Sequence, residues 1–230
     1  IGRAEETERL TRIVSKNLNN NCIVLGEAGA GKTTFLYGWS QNILKQPAHR
    51  NLHIVQMDSS SFANVQSPVG LSGKYHDAFS AIPSCALIID NFGSLVYGRP
   101  QALQGLTRLL QPLFENPEVR VVLTAEPQVW RWMTEQDPSL SHLLDVLTLK
   151  EQTPAEYLQI LKQSLEKFNK TRKILCTDEV LEAIISLCRR FSKLGILPGS
   201  AIRVLDEAIG AAIAGDHKEI TESLVQKIVG

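Results

Sequence analysis

The sequence lacks the features that mark membrane, secreted or strongly charged proteins. No apolar run approaches the roughly 20 residues that a membrane-spanning helix needs, and the start of the chain does not look like a signal peptide. The 24 basic and 24 acidic residues give a formal net charge of zero, so no overall field attracts the chain to nucleic acid or to an anionic membrane. We therefore expect no nucleic-acid partner and no membrane segment.

Cysteine is also scarce. The chain contains Cys22, Cys85, Cys176 and Cys188, with no Cys-x-x-Cys spacing, and three of them lie within apolar runs. This pattern favours buried, reduced thiols in a cytoplasmic protein over a metal site or disulfides. The 43% of hydrophobic residues suffices for one large core or two smaller ones. The abrupt first and last residues favour a domain of a longer protein.

What the sequence does contain is a phosphate-binding pattern near its start. An apolar strand at 23–25 leads into the P-loop motif, whose residues are Gly26, Glu27, Ala28, Gly29, Ala30, Gly31, Lys32, Thr33 and Thr34. The glycines let successive backbone N–H groups face a phosphate at the start of the next helix. We expect Lys32 to reach the β- and γ-phosphate oxygens and the Thr33 hydroxyl to ligate Mg²⁺. The flanking strand and amphipathic helix argue against a chance match, so the motif predicts nucleotide binding.

Further predicted strands end in polar residues. Residues 52–58, 85–90, 119–123 and 146–149 are predicted strands, and the Asn run at 19–21 suits a turn. Asp90 ends the third strand, where a carboxylate can hold the Mg²⁺ shell; the alternative is an Asp that merely ends a strand. Thr124 follows the fourth, either facing a ligand or capping the next helix.

After residue 150 the composition becomes helical. Thr153, Pro154 and Glu156 form a capping signature at the start of one helix, and further helices are predicted to start at Thr177, Pro198 and Thr221. The predicted fold is a three-layer α/β nucleotide domain with a parallel sheet over 1–150, followed by a small α-helical domain over 151–230.

Together these motifs resemble the AAA+ superfamily, and within it the first ATPase module of the Clp/heat-shock unfoldases. The resemblance rests on Ile1-Gly2-Arg3, Asn20-Asn21 before the P-loop, Gly73-Lys74-Tyr75, Leu110-Gln111-Pro112-Leu113 with Thr124, and Leu197-Pro198-x-x-Ala201-Ile202 through Ala208. It implies ATP/ADP and Mg²⁺ as cofactors, a helical lid, and a cytoplasmic hexameric ring acting on polypeptide clients.

The resemblance also assigns roles to single residues. It places three residues in the adenine pocket (Ile1, Gly2 and Arg3), a client-gripping pair in the central pore (Lys74 and Tyr75), a sensor 1 residue beside the γ-phosphate (Thr124), and two nucleotide contacts on the lid (Ile202 and Arg203). Two alternatives stay open. For the pore pair the alternative is an exposed loop pair, and the lid arginine, the sensor 2 candidate, is equally a solvated surface side chain.

Two departures from the family pattern concern hydrolysis. The family has Glu after the strand-ending Asp, but here Asn91 follows Asp90. An amide can position a water but cannot take its proton, and we expect a loss of roughly 10²–10⁴ in rate. The family's Arg pair, which reaches the neighbouring subunit, is replaced at 140–144 by Leu-Ser-His-Leu-Leu, and losing such an Arg costs roughly 10³–10⁵.

Two functions follow from these observations. The first is an ATP-binding AAA+ module of a Clp-like protein unfoldase or remodelling chaperone, with weak intrinsic hydrolysis to which Asn91 and Thr124 contribute. The alternative is a pseudo-ATPase regulatory or scaffold module that binds ATP without turning it over. A DNA remodeller is a weaker third option because the sequence has no basic patch with interleaved aromatic residues.

Overall fold

The computed structural model describes residues 2–58, 82, 84–168, 174–191 and 195–229. Three predicted site residues, Ile1, Lys74 and Tyr75, lie outside these ranges. The chain divides into two units. The first contains Arg3–Glu27 and Lys32–Leu149, and the second contains the described residues of Ile1–Gly2, Ala28–Gly31 and Lys150–Gly230.

The first unit is built on a five-stranded sheet. In chain order its strands are β1 (Cys22–Leu25), β2 (His53–Asp58), β3 (Cys85–Asp90), β4 (Val119–Ala125) and β5 (Asp145–Thr148). All neighbours pair in parallel, in the spatial order β2-β3-β4-β1-β5. The interior strands β1, β3 and β4 are mainly apolar because a parallel sheet is covered on both faces. This order brings the carboxyl ends of β1, β4 and β3 next to one another.

Helices cover both faces of this sheet. They are α1 (Ala4–Val14), α2 (Lys32–Ile43), α3 (Phe92–Val96), α4 (Pro100–Phe114), α5 (Pro127–Gln136) and α6 (Leu140–Leu143), with a short 3-10 helix at Pro47–His49. The core under α1 and α2 contains Trp39 and Val122, and the core under α3, α4 and α5 contains Leu110 and Leu123. Successive residues of one strand therefore serve opposite layers, as the pleat requires.

The Asn run before β1 is only partly a turn. Asn19 has the expected left-handed backbone, with φ of 52°, but Asn20 and Asn21 are buried. The Asn21 Nδ2 donates to the Phe114 carbonyl at 3.0 Å, and its Oδ1 accepts from the Val121 N–H at 2.8 Å. Asn21 thus satisfies backbone groups at the connection between α4 and β4 that burial would otherwise leave unpaired.

The second unit is helical where it is described. Its helices are α7 (Pro154–Phe168), α8 (Asp178–Arg190), α9 (Gly199–Ala214) and α10 (Glu222–Val229), and they enclose a separate apolar core that includes Leu161, Ile184 and Leu205. The capping box forms: the Thr153 N–H donates to Glu156 Oε2 at 2.7 Å, and the Glu156 N–H donates to Thr153 Oγ1 at 3.3 Å. No helix within the described ranges is both long and apolar enough to cross a bilayer.

The four cysteines form no disulfide within the part of the chain that the structure describes. Cys22, Cys85 and Cys188 are buried, and Cys176 is half-buried. Burial raises the pKa of Cys22 to about 12 and that of Cys176 to about 11, with neighbouring carboxylates adding to both shifts. These thiols therefore stay protonated, and the described residues contain no cluster of three or more metal-binding side chains.

Candidate functional site

Three strand ends meet at one edge of the sheet. The register places Leu25 of β1 beside Ala125 of β4, and Ile89 of β3 beside Leu123 of β4. The ladder continues one step beyond β1, where the Gly26 N–H donates to the Ala125 carbonyl at 3.2 Å. The start of the P-loop, the chain after β3 and the chain after β4 therefore emerge side by side.

The P-loop folds around its own lysine. Gly29 and Gly31 have φ values of 89° and 87°, a left-handed conformation that favours glycine. Lys32 is the first residue of α2, and its Nζ donates to the carbonyls of Gly26 at 2.6 Å and Glu27 at 3.1 Å. The ammonium group is thus held against the loop beside the N-terminus of a helix, where anions are favoured.

Lys32 lies among carboxylates. Burial lowers the pKa of this half-buried ammonium, while the charges of Glu126, Asp90 and Glu27 act in the opposite direction, with Glu126 first among them. Glu126 belongs to no recognised sequence motif, so no motif predicts its place at the site. The available signal was its position, two residues beyond Thr124 at a strand end that faces the P-loop.

Asp90 connects the neighbouring elements. Its Oδ2 accepts from the Thr33 hydroxyl at 2.5 Å, and its Oδ1 accepts from the Thr124 hydroxyl at 2.7 Å. Thr124 is fully buried, and its Oγ1 accepts the Asn91 N–H at 2.7 Å, a donor that Asp90 Oδ1 shares at 3.0 Å. The structure therefore brings together the predicted Thr33, Asp90 and Thr124, which lie far apart in the sequence.

The oxygens of Thr33 and Asp90 fit a magnesium ion. Mg²⁺ prefers hard oxygen ligands and is usually held by one or two protein side chains, with water and substrate phosphates completing its shell. A hydroxyl and a carboxylate oxygen 2.5 Å apart match this protein share. Because Thr33 follows Lys32 on α2 and the charge of Asp90 acts on Lys32, one ligand could engage the cation, the lysine and the loop together.

Asn91 is placed differently from Asp90. It is exposed and has a left-handed backbone, with φ of 57° and ψ of 30°, which Asn tolerates better than most residues. The chain turns here, α3 begins at the next residue, and the Ser94 hydroxyl donates to the Asn91 carbonyl at 2.8 Å. The position where the family has its water-activating Glu is therefore a turn at the surface.

Other predicted nucleotide contacts lie within well-defined local structure. Gly2 has a φ of 66°, a left-handed conformation that favours glycine, and a Cβ there would lie 2.1 Å from Glu156 Oε1, so the Glu156 side chain would have to move. Arg3 pairs with Glu6 at 3.1 Å. On α9, Ile202 is half-buried against the core of the second unit and Arg203 is exposed. Their roles toward a nucleotide stay predictions.

Helix α6 contains none of the arginines of the family pattern. Leu140 and Leu144, at the two ends of this stretch, are buried, while Ser141 and His142 are exposed. The surface of this segment therefore presents a hydroxyl and an imidazole where the family has guanidinium groups.

Known proteins resemble the chain over nearly its whole length. The AAA lid domain family matches residues 153–228. The chaperone protein ClpB of Malacoplasma penetrans is 26% identical over 239 residues, covering 99% of this chain and 34% of that protein. The heat shock protein hsp98 of Neurospora crassa is 26% identical over 240 residues, covering 99% of this chain and 26% of its own length. The chain thus spans about a third or less of these curated relatives.

Solved structures confirm the predicted fold class. A closed-state reconstruction of Hsp104 with ATPγS and casein superposes with a TM-score of 0.84 at 20% identity, covering 100% of this chain and 41% of that one. The ADP complex of S. cerevisiae Hsp104 gives 0.78 at 20% identity, covering 94% and 32%. The parallel sheet and the helical second unit are those of an AAA+ fold.

Proposed function

We propose that this chain, an AAA+ module of the Clp and heat-shock type, binds ATP with Mg²⁺. It serves as the nucleotide-dependent module of a Clp-like unfoldase or remodelling chaperone. Its own hydrolysis is weak. The observation that carries the proposal is the network that joins Thr33 of the P-loop helix, Asp90 and Thr124 beside Lys32.

Binding requires groups that match a triphosphate. Lys32 supplies a charge for the β- and γ-phosphates, and the N-terminus of α2 adds its N–H groups and the positive end of its dipole. Thr33 and Asp90 would hold a magnesium ion, which would supply positive charge to neutralise the phosphates. Thr124, buried and bonded to Asp90, fixes the orientation of that carboxylate.

Hydrolysis lacks two of the groups that the family uses. Asn91 can orient a water through its amide but cannot accept the water's proton. The stretch at 140–144 has no arginine to stabilise charge on a neighbouring subunit's γ-phosphate. Turnover by this module is therefore slow, while its affinity for nucleotide is that of an ordinary P-loop protein.

The partners follow from the relatives. Hsp104 is known in complexes with casein, and we propose that the full protein forms a hexameric ring that acts on polypeptide clients through Lys74 and Tyr75. The unpaired thiols support the cytoplasm as its location. The alternative role, a pseudo-ATPase that organises a ring without turnover, is supported by the exposed Asn91 at the water-activating position.

Three measurements test this function. Calorimetric titration should give saturable binding of ATP in the presence of Mg²⁺, and phosphate release should be measurable but slow. Size-exclusion chromatography with and without ATP reports ring formation in parallel. Binding without any phosphate release favours the pseudo-ATPase, turnover at an ordinary AAA+ rate contradicts weak hydrolysis, and failure to bind ATP removes the proposal altogether.

A further inference from the structure

Glu126 is an acidic residue at the site that the chemistry above does not use. It directly follows β4 and keeps an extended backbone, with φ of −83° and ψ of 151°. Side chains alternate along an extended chain, so Glu126 shares the face of Thr124 and Val122. That face is the one covered by α1 and α2, since Val122 packs in their core.

The neighbours of Glu126 are the phosphate-binding groups. The carbonyl of the preceding Ala125 accepts the Gly26 N–H, and the Gly26 carbonyl accepts the Lys32 ammonium. Glu126 therefore leaves the sheet beside the first glycine of the P-loop, and it is the leading negative charge acting on Lys32. Its Oε2 accepts a hydrogen bond from the side-chain amide of Gln128 at 3.2 Å.

Asp90, the carboxylate at the end of β3, already has partners. Both oxygens of Asp90 accept hydrogen bonds, from Thr33 and Thr124 respectively. The chain after Asp90 turns away at the left-handed Asn91. The neighbouring strand, in contrast, continues outward for one extended residue and there carries a carboxylate. A general base absent from the end of β3 is thus available at the end of β4.

We propose that Glu126 is the general base of the slow ATP hydrolysis, a role that rests on the proposed function. Its carboxylate takes a proton from water as the water oxygen bonds to the γ-phosphorus and the bond from that phosphorus to the β–γ bridging oxygen breaks. The bridging oxygen leaves on ADP with its electron pair, and the proton passes from Glu126 to the released phosphate. Atoms and charge balance without a further reactant.

The test compares Glu126→Gln with Glu118→Gln. Gln preserves the shape of the side chain but cannot accept a proton at the pH of the hydrolysis assay. Glu118 is the matched control because it lies immediately before the same strand, at the opposite edge of the sheet, and is exposed. We expect Glu126→Gln to lower the single-turnover rate at least tenfold and Glu118→Gln to change it less than twofold.

A second readout separates a base from a structural residue. Removing the charge of Glu126 relieves its repulsion of the phosphates, so the ATP dissociation constant should stay equal or fall severalfold. After equal incubation, chromatography of the extracted nucleotide should find mainly ATP on Glu126→Gln and more ADP on the unmodified chain. Glu126→Asp, which keeps a carboxylate, should recover part of the rate.

Three results would overturn the role of Glu126. The first is an unchanged hydrolysis rate in Glu126→Gln. The second is a loss of ATP binding or of folding in both Glu126→Gln and Glu126→Asp. The third is a complete absence of turnover in an unmodified chain that binds ATP. Each leaves nucleotide binding by the unmodified chain intact. Failure of that binding is the distinct result that removes the proposed function, and the role of Glu126 with it.

Discussion

The ends of β1 and β3 lie at the same edge of one sheet, yet they differ in how much of the family pattern they keep. After β1 the complete P-loop is present, from Gly26 to Thr33. After β3, Asp90 is kept and the Glu that should follow it is Asn91. At the end of β3, the residue that is kept and the residue that is changed differ in their contacts. Asp90 holds Thr33 and Thr124 in place, whereas Asn91 is exposed.

This contrast has a physical explanation. A side chain that joins several elements contributes to folding as well as to binding, so its loss lowers both the stability of the fold and the affinity for ligand. A side chain at an exposed turn contributes to chemistry alone, so it can change while the sheet and the P-loop persist. The binding end of the site is thus tied to the fold, and the water-activating end is not.

Lys32→Ala should break the binding end and have the largest effect. Each charge-assisted hydrogen bond contributes about 1.5–3 kcal/mol, and Lys32 can give more than one to a triphosphate. We expect ATP affinity to fall a hundredfold or more in calorimetry. Lys45→Ala, an exposed lysine just beyond the other end of α2, is the control. Equal affinity for the two variants would contradict the P-loop assignment.

Asn91→Glu should restore the water-activating end. A positioned carboxylate contributes roughly 10²–10⁴ in general base catalysis, and the left-handed backbone at this position will reduce that gain. We expect phosphate release to rise about ten- to a hundredfold, with ATP affinity changed by less than about threefold. An unchanged rate would place the block to hydrolysis elsewhere, with the absent arginines of α6 as the next candidate.

Thr124→Val tests the connection between the two ends. The substitution leaves the Asn91 N–H without its 2.7 Å acceptor and takes a donor from Asp90, which should lower the free energy of unfolding by about 2 kcal/mol. Thr107→Val is the matched control, since the buried Thr107 hydroxyl has no partner among the described residues. Denaturant unfolding that gives both variants the same stability would show that the Thr124 contacts contribute nothing to folding.

Thr153→Ala should have the smallest effect and bears on the second unit. Losing the capping box at the start of α7 should cost about 1 kcal/mol in thermal or denaturant unfolding. Ser164→Ala, within the same helix, removes a hydroxyl whose hydrogen bond among the described residues is to a carbonyl one turn earlier, and it should be nearly neutral. If the two variants unfold alike, the capping contacts of Thr153 do not stabilise the helix.

Much of this site follows from the sequence because parallel strands align their carboxyl ends. Once β1 and β3 are recognised as buried apolar strands, the P-loop and Asp90 must lie at one edge. Thr124 follows by the same reasoning, and the capping box follows from the local spacing of Thr153 and Glu156. These predictions need only local pattern and the rules of sheet topology.

Glu126 and Asn21 could not be predicted in this way. The importance of Glu126 depends on how far the chain stays extended after β4, a backbone property that no residue spacing reveals. Asn21 belongs to a run of amides typical of turns, and its burial depends on backbone groups about a hundred residues later in the chain. Both are consequences of tertiary contacts between segments that are distant in sequence.

The contacts at the two ends of β1 have a mechanical consequence. Immediately before the strand, the Asn21 side chain bonds to Val121, and immediately after it the Gly26 N–H bonds to Ala125. Sliding by a single residue would break both hydrogen bonds and reverse every inward-facing side chain. A glycine loop that rearranges when a ligand leaves would therefore do so on a strand held in a fixed register, and would return to the same starting alignment.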